Sequence, residues 1–353
     1  MSVFITILIF LAILVVIILV HELGHFVTAK LTKVKVEELG LGFPPRLLSF
    51  KRGETIYSLN LIPLGGFCRM AGEEDPSVPG SLAGKSVKTR LLVLSAGCIM
   101  MLLLPLFLLP TAYMIPMERY VEGEGVQVVN VAPDSPAAEV GILPGDVIKS
   151  VEGQPIYNFD ELKDIIDSNL GSEIGMLLLR DSTEVEVTLV PRPNPPEGEG
   201  PTGVELGPIT ETRAYPPWKA IPLGLGEYGQ MLVAMKNGIA RTVQGEEELA
   251  VIGPVGIAQL TGEVAERGAY SLIRFIAFLS LILAIVNFLP IPALDGGRIA
   301  FLFLEVVRRG KRIPAKKETL INMIGFALLI VLVVVISYYD ILRLIRGEGF
   351  GLP

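Results

Sequence analysis

The sequence predicts a polytopic α-helical membrane protein: four transmembrane helices, a membrane-associated β-hairpin loop and an inserted extracytoplasmic α+β domain. Three observations carry that expectation. Hydrophobic residues fill 51% of the 353 positions and mean hydropathy is +0.56, high for a chain folding in water. The apolar residues gather in four runs, each long enough to cross about 30 Å of hydrocarbon. Charge is split: residues 116–270 hold 10 Lys+Arg and 25 Asp+Glu, while the remainder holds 20 and 12. A segment of −15 joined to a remainder of +8 fits a solvated acidic domain on a membrane body with basic loops.

The same numbers exclude other classes. Two cysteines, Cys68 and Cys98, cannot build a disulfide scaffold, and the apolar content argues against disorder. A net charge of −7 leaves no basic excess for nucleic acid as a partner.

The runs span residues 2–20 (with an interrupted tail to about 29), 91–114, 272–289 and 320–338. The first has no basic residue before it and no small-residue cleavage site after it, so it reads as a retained span rather than a signal peptide. The second contains Pro105 and Pro110, tolerable where neighbours satisfy the freed carbonyls. Lys and Arg crowd the loops between spans one and two and between spans three and four. The positive-inside rule places those loops in the cytoplasm and puts residues 116–270 and both termini outside. Four parts follow: a membrane part over 1–115, an inserted domain over 116–212, an amphipathic interfacial connector over 213–270, and a second membrane part over 271–353.

Within the first basic loop, residues 47–60 alternate around Gly53 as a hairpin, which Pro63-Leu64-Gly65-Gly66-Phe67 is expected to break. The inserted domain shows strand candidates at 126–131 and 147–151 and a short helix after Ser135-Pro136. A helix over 159–168 with Asn158 as cap and a hairpin over 176–190 follow, then a Pro/Gly/Glu loop over 191–201.

Chemistry concentrates in His21-Glu22-Leu23-Gly24-His25, which uses both histidines of the chain. On a helix, i and i+4 share a face, so both imidazoles can reach one metal ion, with Glu22 beside them to accept a proton from attacking water. Ionisable groups inside a membrane segment are costly and mark function. A catalytic zinc takes three protein ligands, so a carboxylate or thiolate must complete the set. Asp295 is the best candidate. It follows Asn287-Phe288-Leu289-Pro290-Ile291-Pro292, an irregular stretch that suits a cavity lining, and the loop charges bring it to the depth of His21. Cys98 is a softer alternative ligand.

These motifs identify the chain as resembling the site-2 proteases, intramembrane zinc metalloproteases, of the bacterial single-PDZ type. The resemblance also rests on Pro63-Leu64-Gly65-Gly66-Phe67, on Gly253-Pro254-Val255-Gly256-Ile257 and on Asn287 through Gly297. It implies Zn2+ held by His21, His25 and Asp295, with Glu22 as general base and proton shuttle. It implies that Asn287 holds substrate backbone. The hairpin over 36–67, with Gly65 and Gly66, would be an edge against which an unwound substrate pairs. Ser135-Pro136-Ala137-Ala138 and Leu143-Pro144-Gly145-Asp146 make residues 116–212 resemble a PDZ domain, with Gly203, Val204, Glu205 and Leu206 as a candidate peptide-docking strand facing helix 159–168. The implied activity is cleavage of a transmembrane segment of a membrane protein in the bacterial inner membrane, such as an anti-sigma factor or a signal-peptide remnant, with the active site toward the cytoplasm. One departure stands out. Where the family often has Gly-Pro-x-x-Asn, this chain has Gly97-Cys98-Ile99-Met100-Met101. The rival readings are a non-catalytic PDZ scaffold binding peptide tails, and a metal transporter, for which too few polar residues line the spans.

Overall fold

The computed structural model describes residues 1–120, 125–196, 198–207, 209–246 and 251–347. They fall into two compact units, one of Met1–Ile115 with Tyr215–Pro353 and one of Pro116–Ala214.

The first unit begins with α1 (Val3–Leu31), capped by the Ser2 hydroxyl, which accepts from the Ile5 N–H. The helix runs unbroken through the tail that the sequence suggests is interrupted. The reason is packing: Gly24, His25 and Ala29 are buried, so the polar end of the span faces protein.

β1 (Val36–Arg52) and β2 (Thr55–Met70) follow. The expected break at 63–67 is corrected by the structure, because β2 continues through it as a crossover. Residues 38–41 pair with 56–59 on one side and with 66–69 on the other. Gly65 permits this, since its φ of +125° lies where side chains rarely go. The result is a curled sheet whose segment order is 46–52, 55–60, 36–41, 66–70. Buried Glu38 locks it, accepting from Arg46 Nη2 and Arg69 Nη2 at 2.6 Å each and from Ser58 Oγ at 2.7 Å.

α2 (Val87–Tyr113) starts at the Ser86 cap and contains Pro105 and Pro110 without breaking. Pro105 cannot donate to the Met101 carbonyl one turn earlier. Ser280 Oγ donates to that carbonyl instead, at 2.7 Å.

The second unit holds β3 (Met117–Tyr120), β4 (Val126–Val131), α3 (Pro136–Glu139), β5 (Val147–Val151), β6 (Gln154–Pro155), α4 (Phe159–Ser168), β7 (Ile174–Arg180), β8 (Thr183–Leu189), β9 (Val204–Gly207) and β10 (Thr210–Arg213). The main sheet has the order β8-β7-β5-β4-β9, with β6 on β5, while β3 pairs β10. α4 is capped by Asn158, whose side chain accepts from Glu161 N–H, and presents Leu162 and Ile166 to a core shared with Val128, Ile148 and Leu178. The loop over 191–201 is irregular in its described part; its residue 197 lies outside the described residues.

The chain returns to the first unit with α5 (Pro217–Gln244), α6 (Pro254–Glu266), α7 (Ala269–Phe288), α8 (Asp295–Val307) and α9 (Ala315–Ile345). α5 lies on α2: a Cβ at Gly224 would overlap Pro110, and Tyr228 Oη donates to the Leu102 carbonyl at 3.1 Å. α6 is tied to α9 because buried Asp340 accepts from the N–H of Gly253 and of Gly256 at the α6 start. Among the described residues, four helices, α1, α2, α7 and α9, are long and apolar enough to cross a membrane.

In the second unit, Asp146 is buried under Arg180, whose Nε and Nη2 donate to its two oxygens at 2.7 and 2.6 Å. Burial works against the charge, but these bonds and the Leu143 N–H outweigh it and hold the carboxyl below its ordinary value of 3.8. A depressed folded-state pKa stabilises the fold above the unfolded value, and that contribution is lost as pH falls through the folded value. Amide-exchange protection of β4 and β5 is therefore expected to weaken as pH drops below about 4. In Asp146→Asn it should be lower at neutral pH and lose that pH dependence.

Candidate metal centre

The site is built where α1 and α2 come into near contact. A Cβ at Gly24 would lie 2.8 Å from the Ala96 carbonyl carbon and from Met100 Cγ. A Cβ at Gly97 would overlap His25 Nε2 and His21 Cε1 and lie 2.8 Å from His21 Nδ1. Glycine on both helices is thus what lets the imidazoles come this close to α2.

α8 contributes the third side chain. Asp295 is its first residue, and the two glycines after it sit tightly: a Cβ at Gly297 would come within 2.9 Å of the Ile291 carbonyl carbon, and one at Gly296 would overlap the Leu289 carbonyl oxygen. Ala293, just before, has φ +77°, a conformation unusual for a residue with a side chain. Its N–H is held by Asn322 Oδ1 of α9 at 3.2 Å.

Three ligand atoms converge. Asp295 Oδ2 lies 3.1 Å from His21 Nε2 and 3.1 Å from His25 Nε2, and the two Nε2 atoms are 3.2 Å apart. A tetrahedral ion with bonds of about 2.0–2.1 Å needs ligand atoms about 3.3 Å apart. The triangle matches that edge, so the residues fit a zinc ion with a fourth position open. Among the described residues, these three form the group of His, Cys, Asp and Glu close enough to hold a metal. Cys98 stands beside them, its Sγ 3.9 Å from Asp295 Oδ2, but does not join the group.

The outward ring nitrogens orient the imidazoles. His25 Nδ1 faces the Val93 carbonyl at 2.8 Å, and His21 Nδ1 faces Met101 Sδ at 3.2 Å. With metal on Nε2, both Nδ1 atoms carry protons and donate.

A cavity of about 350 Å³ opens on the triad and on Glu22. One wall is the edge segment of β2, including Gly66, Phe67 and Cys68. A Cβ at Gly66 would meet Glu22 Cγ at 3.0 Å and Ile18 Cγ2 at 2.8 Å, so this strand lies directly on the glutamate. Gly65 sits one residue back at the crossover, where a Cβ would clash with the Phe43 ring. Asn287 lies in the last turn of α7. Its Nδ2 is 4.0 Å from Met101 Sδ, so Met101 stands between it and His21.

Sequence reasoning left several contributors unmarked. Arg298 lines the cavity one turn beyond Asp295 and donates to Glu73 Oε2 at 2.7 Å. The i+3 spacing from Asp295 was the available signal. The Val93 carbonyl and the role of Gly24 had none, because both depend on how helices pack. In the other unit, Gly203, Val204, Glu205 and Leu206 lie along the sheet edge, paired with β4 on one side. Gly203 has φ +77°, and a Cβ there would overlap Ser135.

Gly97→Ala is expected to abolish near-stoichiometric zinc binding while leaving the helical circular dichroism intact. Elemental analysis of purified protein reads it; zinc at the wild-type level would contradict the close-contact account.

The comparisons with known proteins agree with this site. The model of peptidase family M50 matches residues 9–332. A Clostridium acetobutylicum protein named "Putative zinc metalloprotease CA_C1796" is 36% identical over 334 residues, covering 92% of this chain and 94% of that protein. The Bacillus subtilis regulator of sigma-W protease RasP is 28% identical over 407 residues, covering 92% and 95%. Among solved structures, the PDZ domain of an SdrC-like protein from Listeria monocytogenes is 25% identical and covers 25% of this chain and 93% of that one, with a TM-score of 0.22. With the triad, the glutamate and a family match across nearly its whole length, this chain belongs to peptidase family M50.

Proposed function

We propose that this protein is a zinc-dependent intramembrane endopeptidase that cuts a transmembrane segment of a membrane-protein substrate. The observation that carries the reading is the convergence of His21, His25 and Asp295 beside Glu22 on helices of membrane-spanning length. When bound, zinc would supply a Lewis acid that polarises the scissile carbonyl and makes water a nucleophile near neutral pH.

The chain's own residues do the rest. Glu22 takes a proton from the attacking water and passes it to the leaving amine nitrogen. The His25 and His21 rings hold their Nε2 atoms toward the place an ion would occupy, each fixed from behind through Nδ1. The edge segment of β2 supplies a strand partner. A helical substrate keeps its amides in its own hydrogen bonds, so it must unwind before attack, and edge pairing replaces the bonds it loses. Residues 66–69 suit this: they pair with 38–41 on one side, and no strand lies on the other among the described residues. Asn287, whose Nδ2 lies 4.0 Å from the Met101 sulfur that faces His21, holds substrate backbone near the metal on this reading.

An apolar cavity of about 530 Å³ adjoins Glu22 between α1 and the hairpin, walled by Leu19, Leu41, Phe50, Tyr57 and Leu59. Its size and lining suit a large apolar side chain of the substrate next to the scissile bond. The loop charges support a topology with the site toward the cytoplasm and the inserted unit outside. The residue divisions 1–115, 116–212, 213–270 and 271–353 are retained as functional parts, the third resting at the membrane interface. On this reading the inserted unit is a PDZ-like domain whose β9 edge takes a peptide strand. The similarity to the regulator of sigma-W protease RasP supports an anti-sigma factor as the class of substrate.

Two experiments test the proposal. Glu22→Gln in purified full-length protein should keep its zinc and lose roughly 10²–10⁴-fold in cleavage of a model membrane substrate. Asp295→Asn should lose zinc. Unchanged cleavage by Glu22→Gln would end the mechanism. Separately, Leu59→Trp should slow cleavage where a Leu or Phe flanks the scissile bond and spare a substrate with Ala there; equal slowing of both would remove the subsite.

A further inference from the structure

The two histidines of the triad are held by unlike partners. His25 donates from Nδ1 to a backbone carbonyl, that of Val93, at 2.8 Å. His21 donates from Nδ1 to a thioether, Met101 Sδ, at 3.2 Å. Met101 is buried, with 1% of its surface exposed, and its backbone is pinned: Pro105 leaves its carbonyl free, and Ser280 Oγ takes it up at 2.7 Å. Its sulfur therefore has a fixed position between His21 and Asn287.

We propose that Met101 is a positioning residue of the metal centre, its Sδ accepting the His21 Nδ1 proton and so holding Nε2 toward the ion. The inference rests on the zinc reading above. Outer partners of metal-bound histidines fix the tautomer and ring orientation and raise ligand basicity, and they are ordinarily carboxylates, carbonyls or water. A thioether is a weak acceptor. His21 is accordingly the more loosely held ligand of the pair, and His25 the anchor. Met101 also occupies the position where the Gly-Pro-x-x-Asn pattern would put Asn. The δ position along the side chain, filled here by sulfur, would then carry an amide oxygen.

The test measures zinc affinity, by chelator competition, in full-length protein purified in detergent. Three forms are compared: wild type, Met101→Leu and Met101→Asn. Leucine keeps the apolar volume, a swap that cores tolerate well, but removes the acceptor. Asparagine gives up volume and supplies a stronger acceptor at the δ position. Zinc affinity should fall by about 10-fold in Met101→Leu, and Met101→Asn should bind at least as tightly as wild type. The Co2+-substituted absorption spectrum should shift in Met101→Leu and return toward wild type in Met101→Asn. Thermal midpoints of the chelator-stripped proteins separate folding from ligation. A Met101→Leu protein that binds zinc like wild type, or equal losses in both variants, would show that Met101 only fills space and overturn the proposal. A wild type without near-stoichiometric zinc would overturn the metal reading itself.

Discussion

The approach of α1 to α2 is the constraint on which the rest depends. At Gly24 and Gly97 the two helices come so close that a methyl group on either would overlap the other. That distance sets the imidazoles against the α2 backbone, brings the Val93 carbonyl within reach of one ring and the Met101 sulfur within reach of the other, and leaves their Nε2 atoms pointing one way. Helix–helix packing in hydrocarbon draws little from the hydrophobic effect, because lipid tails are as apolar as leucine. Small residues that permit close backbone contact are a main source of attraction. The same glycines thus hold the helices together and make room for the ligands.

The other elements secure what that contact creates. Asp295 must arrive from the far end of the chain, and the first turn of α8 can pack onto the backbone of residues 288–292 because Gly296 and Gly297 carry no side chain there. Asn322 of α9 holds the preceding Ala293 in a conformation it would otherwise avoid. Gly66 lets the β2 edge rest on Glu22, and the Glu38 network keeps the sheet that carries this edge in its curl. Pro105 costs α2 a backbone bond, and Ser280 of α7 restores it where Met101 is needed.

Burial follows the same logic. In their most apolar stretches, α2 is 44% buried within the protein and α9 only 6%. α2 is therefore the central post of the membrane unit, and α9 meets it mainly through specific polar contacts such as Asp340 on the α6 start. Ionisable groups placed on α1 and α8 face this interior, where partners exist, and not the lipid, where they would be unpaired.

The apolar runs, the charge split and the His-Glu-x-x-His spacing were legible in the sequence because each depends on a local period or on composition. They gave the four spans, the caps at Ser135 and Asn158 and the face on which both histidines lie. Asp295 could be nominated because a metal needs a third ligand, and because this carboxylate follows an irregular Pro/Gly stretch at the depth of His21. The crossover at Gly65 read as a break, since a local turn signal does not reveal that the chain goes on to pair with the far side of the same strand. Arg298 had a local signal in its i+3 spacing from Asp295, whereas Met101, Val93 and the Gly24–Gly97 contact were decided only by tertiary structure. Their roles arise from which atoms face each other across packed helices, and residues 68 to 80 positions apart carry no shared local pattern that would announce it.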